Sequence, residues 1–276
     1  MEKKKEIAVK LFITLFLIIV GIVMVFPIAW MISASFKFES DVFRVPIEWI
    51  PENPNFENYI TALTDFPYIN WYINTIIATA CIVFLVLFVS SLSGYAFAKM
   101  NFKGKNLIFM LFIATMMVPV QVRTIPQFLI FQKMGLINEL PSIILPWAFN
   151  GFSIFMMRQF FMSIPNDLLE AARIDGSGEY RTFFKIVMPL AKSQLAALFI
   201  LSFTWGWNEY FGPLVYISDT KKQVLAVGIA SFKGQYSNNF AVQMAGATLA
   251  LVPIIVVYLC AQKHFIEGIA LSGVKG

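Results

Sequence analysis

The chain has 276 residues, of which 58% are hydrophobic and only 13% charged, with 29 Phe and a mean hydropathy of +0.72. That is more apolar material than one soluble core can bury, so an integral membrane protein is expected and a soluble enzyme domain is excluded. The net charge of +5 comes from basic residues flanking the apolar runs, which is a topology signal and gives no case for nucleic acid.

A helix needs about 20 apolar residues to cross roughly 30 Å of hydrocarbon. The first candidate is 11–33, uncharged from Leu11 to Ser33. It is longer than a signal-peptide core, and Phe26, Pro27 and Trp30 are poor neighbours for a small-residue cleavage site, so it reads as a retained span. Phe36 to Asn70, with Pro46, Pro51 and Pro54, reads as an external loop carrying a short helix near 58–63, too short to fold as a domain. A second span is expected at 71–98. Between Asn106 and Met157 the apolar tract is interrupted by Pro119, Pro126, Pro141 and Pro146. The polar residues Gln132, Lys133, Asn138 and Glu139 supply a turn, which gives two spans, 106–131 and 141–160. Spans at 190–216 and 240–262 complete an all-α, polytopic membrane protein with six transmembrane helices in one domain over 1–276. Cys81 and Cys260 fall inside spans and suggest neither a disulfide nor a metal site.

With the N-terminus inside, 14 of the 21 Lys and Arg residues fall on the cytoplasmic side. The positive-inside rule then places both the N-terminus and the C-terminus in the cytoplasm. It also makes the loop 163–189, between the fourth and fifth spans, cytoplasmic. In that loop Asp167 is expected to cap a short helix, with Glu170 in a capping-box relation, and Gly176 to stop it in the left-handed conformation. Ala171 and Ala172 would give this helix a smooth side able to enter a groove on a partner, with the charges of Glu170 and Arg173 beside it. A second helical stretch, 179–187, leads to Pro189 at the start of the next span. The whole run reads Glu170-Ala171-Ala172-x3-Gly176-x9-Ile186-x-Met188-Pro189. Glu-Ala-Ala alone is a weak signal, because these are common helix formers. Its specificity lies in the full spacing and in its place between two spans.

This run resembles the cytoplasmic EAA loop of the permease subunits of ATP-binding-cassette importers. Asn55-Phe56-Glu57-Asn58-Tyr59, Ser93 to Lys99, Met117-Val118-Pro119, Gly135-Leu136-Ile137-Asn138, Arg158-Gln159-Phe160-Phe161, Trp207-Asn208 and Gly273 to Gly276 are similar to the carbohydrate-uptake branch, which includes the smaller membrane subunit of the maltose transporter. Met188 departs from the usual Leu, a volume-conserving change. The resemblance implies the type I importer architecture, in which this chain forms half of a pore. It further implies a second, non-identical permease subunit, two ATPase subunits, an extracytoplasmic solute-binding protein, a sugar substrate and a bacterial or archaeal cytoplasmic membrane. The ATPase-coupling residues would be Glu170, Ala171, Ala172, Arg173, Asp175, Gly176, Ile186 and Pro189. In relatives the C-terminal tail reaches toward the ATPase pair, which marks Lys263 and Lys275.

Polar groups within spans are functional candidates by default. Here they are Arg123, Asn150, Asn208 and Glu209, with the aromatic set Trp205, Trp207 and Tyr210, although aromatics near an interface often serve only as anchors. Arg123 is expected to pair with Glu209; the alternative is an anionic substrate such as a glycerol phosphate. His264 is the one histidine, so no catalytic triad or multi-His metal site can be drawn. No G-x-x-x-x-G-K-[ST] loop occurs, so ATP and Mg belong on partner subunits and this chain is expected to bind no cofactor and catalyse nothing. An ion-gradient-driven secondary transporter is the competing class, but such carriers often show inverted repeats and acidic mid-span residues, and neither is visible here.

Overall fold

The computed structural model describes residues 2–232 and 239–273, apart from the side chains of 2–5, 8 and 263–273. Most of the described residues are helical, with no strand among them. They belong to two compact units, one of Met1–Tyr68 with Ile229–Val252 and one of Ile69–Gly228 with Pro253–Gly276.

In the first unit, α1 (Glu2–Ser35) covers the expected first span and leaves its apolar side chains exposed along most of its length. The segment after α1 folds back on the end of that helix through the Asn55-to-Tyr59 stretch, which opens α2 (Glu57–Thr64). Buried Asn58 donates from Nδ2 to the carbonyls of Ser35 and Lys37 at 2.9 and 2.8 Å, and Tyr59 shares a 2.7 Å bond with the Ser35 hydroxyl. Those carbonyls follow the end of a helix and would otherwise be orphans. The last helix, α13 (Phe240–Gly273), starts where its Ala241 N–H meets the Glu39 carboxylate at 2.7 Å.

In the second unit, α3 (Tyr68–Lys99, its first residue belonging to the other unit) is the long span expected at 71–98. The next three expected spans are not continuous. Residues 106–131 form α4 (Lys105–Thr115) and α5 (Val120–Lys133), bent by 103° at a break before Pro119, whose ring cannot continue α4. Residues 141–160 form α6 (Pro141–Ile144), a 3-10 turn over Leu145–Trp147, and α7 (Gly151–Ser163). Here Asn150 ends one segment and starts the next, its side chain accepting from the Ser153 N–H at 2.9 Å.

Residues 190–216 form α11 (Lys192–Trp207) and α12 (Phe211–Tyr216), the latter preceded by Glu209, whose carboxylate accepts from the Gly212 N–H at 3.0 Å. Pro213 lacks an N–H and clashes with a carbonyl four residues back, so α11 cannot run through it. Among the described residues three helices are long and apolar enough to cross a membrane, and up to five spans result if each of two bent pairs is one crossing.

The core of this unit runs from Ile82 and Val86 on α3 through Met157 and Phe161 on α7 to Val187 and Leu198. Gly94 sets the closeness of α3 and α7. A Cβ there would lie 2.7 Å from Met157 Cβ and 2.9 Å from the Arg158 backbone nitrogen, where neither backbone has room to give. Gly94→Val is therefore expected to destabilise by about 1–3 kcal/mol through overpacking, seen as a melting temperature several degrees lower in detergent solution, whereas Gly21→Val in the open stretch of α1 leaves it unchanged.

Candidate functional site

The loop 163–189 folds as a helix, a turn and a second helix. α8 (Asn166–Ile174) begins one residue before the expected Asp167 cap: Pro165 is the cap residue, Asp167 lies in the first turn, and no capping side chain is used. The Asn166 side chain is taken instead by Lys99, which donates from Nζ to Asn166 Oδ1 at 2.8 Å and to the Ile164 carbonyl at 2.5 Å. α8 ends as the sequence predicts. Gly176 has φ +79°, its N–H reaches the Arg173 carbonyl at 3.0 Å, and the Ser177 N–H reaches the Ala172 carbonyl at 2.9 Å. These two bonds make a Schellman turn.

That turn brings α9 (Glu179–Thr182) alongside α8. Arg173 donates from Nε and Nη2 to Glu179 Oε1 at 3.1 and 2.7 Å, and the Tyr95 hydroxyl bonds Glu179 Oε2 at 3.1 Å. The bond and the negative charge of Glu179 push the Arg173 pKa above its ordinary value, so this guanidinium stays charged. Arg173 is thus paired within its own chain, at a half-exposed position.

The two alanines also separate. Ala172 is buried with Leu169, three residues earlier on the same helix face, and only Ala171 looks outward. The outward face consists of Glu170, Ala171, Asp175 and Ile174, the last 86% exposed, with Tyr180 nearby in the chain at 81%. Ile174 and Tyr180 are not among the coupling residues expected from the sequence. Their signal was an apolar side chain on the side of α8 opposite Leu169 and Ala172, and an aromatic in a charged turn.

After α9 the helix widens to a π turn over Phe183–Val187 and resumes as α10 (Met188–Leu190). Pro189 therefore sits inside this helical run, and the change of direction into α11 comes at Ala191, with a bend of 78°. In regular α geometry the Pro189 ring would strike the Lys185 carbonyl, and the wider turn relieves that contact. Ile186 is half-buried within the π turn. The side chain of Lys263, and Lys275, lie outside the described residues.

A second feature of this unit is a chamber of about 280 Å³ at the breaks between α4 and α5, before α7, and between α11 and α12. Of the expected path residues, Arg123, Asn150 and Glu209 line it, and Trp205, Trp207, Asn208 and Tyr210 do not. Trp207 is buried, stacked on Phe203 at 5.6 Å and edge-on to Tyr72 at 5.8 Å. Asn208 caps α11 by donating to the Thr204 carbonyl at 2.9 Å.

Arg123 and Glu209 do not form the expected ion pair. The pairs among the described residues are Arg173 with Glu179 and Lys222 with Glu139, and Arg123 acts on Glu209 only at longer range. Residues missed from the sequence are Gln127, Trp147 and Tyr216. Tyr216 donates to Gln127 Oε1 at 3.0 Å, and Trp147 stacks on Trp205 at 5.8 Å.

The tie from Tyr95 to Glu179 is the polar link between α3 and the start of α9. Tyr95→Phe is expected to cost about 1 kcal/mol and to speed amide hydrogen exchange across 166–182 while leaving α1 unchanged, as read by exchange mass spectrometry.

The model of the family described as "Binding-protein-dependent transport system inner membrane component" matches residues 90–270. The arabinooligosaccharides transport system permease protein AraQ of Bacillus subtilis is 34% identical, over 96% of this chain and 95% of its own. The sn-glycerol-3-phosphate transport system permease protein UgpE of Yersinia pestis is also 34% identical, over 93% and 94%. A crystal structure of a bacterial ABC transporter involved in the import of the acidic polysaccharide alginate contains a chain that superposes with a TM-score of 0.80 at 28% identity, covering 93% of this chain and 96% of that one. The chain therefore belongs to the family of inner-membrane components of binding-protein-dependent transport systems, and is a multi-pass membrane protein.

Proposed function

We propose that the chain is a permease subunit of an ATP-driven sugar importer, forming half of the translocation pore over residues 1–276. It crosses the membrane six times, counting the bent pair 105–133 and the broken segments 141–163 and 190–216 as one crossing each, with both ends cytoplasmic. A second, non-identical permease completes the pore, a solute-binding protein delivers sugar from outside, and two ATPase subunits holding ATP and Mg drive it. This chain binds no cofactor and is not itself an enzyme. Full-length similarity to an arabinooligosaccharide permease supports the sugar as cargo.

The observation that carries the coupling role is α8 itself, a nine-residue helix fixed from behind by Leu169, Ala172 and Arg173 that presents Ile174 at 86% exposure. An isoleucine so exposed on a rigid mount suits a groove on a partner. In this reading Glu170, Ala171, Ile174 and Asp175 touch the ATPase. Ala172, Arg173 and Gly176 shape the helix, and Ile186 and Pro189 carry its motion into α11. For ATP binding to shift the pore, these contacts must differ between the two ATPase states. A second reading takes a glycerol-phosphate-like anion as cargo; it is favoured by the similarity to the glycerol-phosphate permease and by Arg123 forming no ion pair among the described residues.

Ile174→Asp and Glu170→Arg are expected to leave the protein in the membrane while lowering sugar uptake by about tenfold or more, equivalent to about 1.4 kcal/mol of coupling. Stimulation of ATP hydrolysis by the loaded binding protein should fall with it. Normal uptake by both variants in whole cells would sink the coupling assignment.

A further inference from the structure

The chamber at the helix breaks carries chemistry that pore-lining alone does not require. We infer that it holds one neutral sugar ring of the cargo, so that this chain contacts the substrate directly. The inference rests on the sugar-importer reading above.

Its size is the first reason. About 280 Å³ lies just below the range of small-molecule sites, roughly 300 to 1,000 Å³, and matches a single ring with its hydroxyls. Its lining is the second. Trp147 and Phe152 give flat apolar faces suited to the C–H face of a ring, and both lie against Trp205, at 5.8 Å each, which holds their planes. Around them stand hydrogen-bonding groups with capacity to spare. Gln127 accepts the Tyr216 hydroxyl through its Oε1, which leaves the amide NH₂ to donate. Glu209 accepts the Gly212 N–H through Oε1, and a carboxylate has further lone pairs.

Charge is the third reason. Arg123 and Glu209 line the same chamber with opposite signs and make no ion pair with each other. A hydroxyl both donates and accepts, so a polyol can bridge a guanidinium and a carboxylate with charge-assisted bonds to each. An anion satisfies Arg123 but meets the Glu209 carboxylate. The chamber is balanced for a neutral ligand.

The test uses the whole importer, with its partner subunits and binding protein, in proteoliposomes, and follows uptake of arabinotriose and of sn-glycerol 3-phosphate, normalised to assembled complex. Wild type is expected to import arabinotriose and not sn-glycerol 3-phosphate. Arg123→Gln and Glu209→Gln each lower arabinotriose uptake about tenfold or more, mostly as a rise in KM, and Arg123→Lys restores part of it. Arabinotriose uptake at the wild-type rate and KM in both glutamine variants overturns the chamber assignment while the sugar-importer reading stands. Wild-type import of sn-glycerol 3-phosphate that Arg123→Gln abolishes overturns the neutral-ligand assignment and the sugar reading together.

Discussion

The close approach of α7 to α3 over Gly94 is the contact on which the arrangement of the second unit rests. It sets the Tyr95 ring edge-on to Phe161 at 6.0 Å and against Phe183 at 5.0 Å, with its hydroxyl on Glu179. Four residues later, Lys99 holds the residues that open α8. One end of one long helix therefore fixes both helices of the exposed loop through an aromatic cluster and two polar ties. A displacement of α8 has to move α3, α7 or both, because interiors packed at this density do not absorb shear locally. The packing that anchors the loop is also what would carry its motion inward.

Much of that loop was legible in the sequence. Gly176 announced the turn, and the segments on either side are helical within a few residues of expectation. Its polarity was less legible. Leu169 and Ala172 are three apart and share the buried face, so only one alanine of the pair faces out, a consequence of helical spacing that the motif conceals. The bond from Arg173 to Glu179 needs the Schellman turn before it can be drawn, since six residues along a chain carry no contact by themselves. The Asp167 cap failed because the helix starts earlier, after Pro165, which places Asp167 inside the first turn.

The spans show the opposite pattern. Hydropathy finds apolar tracts but is blind to dihedral angles, so it located 106–131, 141–160 and 190–216 without their breaks. The breaks have local causes: Pro119, the Asn150 cap and Pro213 with Glu209. Asn150 stood out as a polar group in an apolar tract and proves to start a helix, a role that the Asn-Gly-x-Ser spacing encodes. Because irregular backbone at membrane depth is tolerated where it lines a cavity, the same three breaks that defeat a span count also frame the chamber.

The π turn at Phe183–Val187 adds one residue to a helical run. Each residue advances an α-helix by about 100°, so that single insertion resets the facing of everything downstream, and Val187 and Ala191 are both fully buried with it in place. Chain length between Gly176 and Ala191 is therefore a phase setting as much as a spacer. A one-residue deletion there would turn α10 and the bend at Ala191 against their neighbours, although no side chain in the core had been altered.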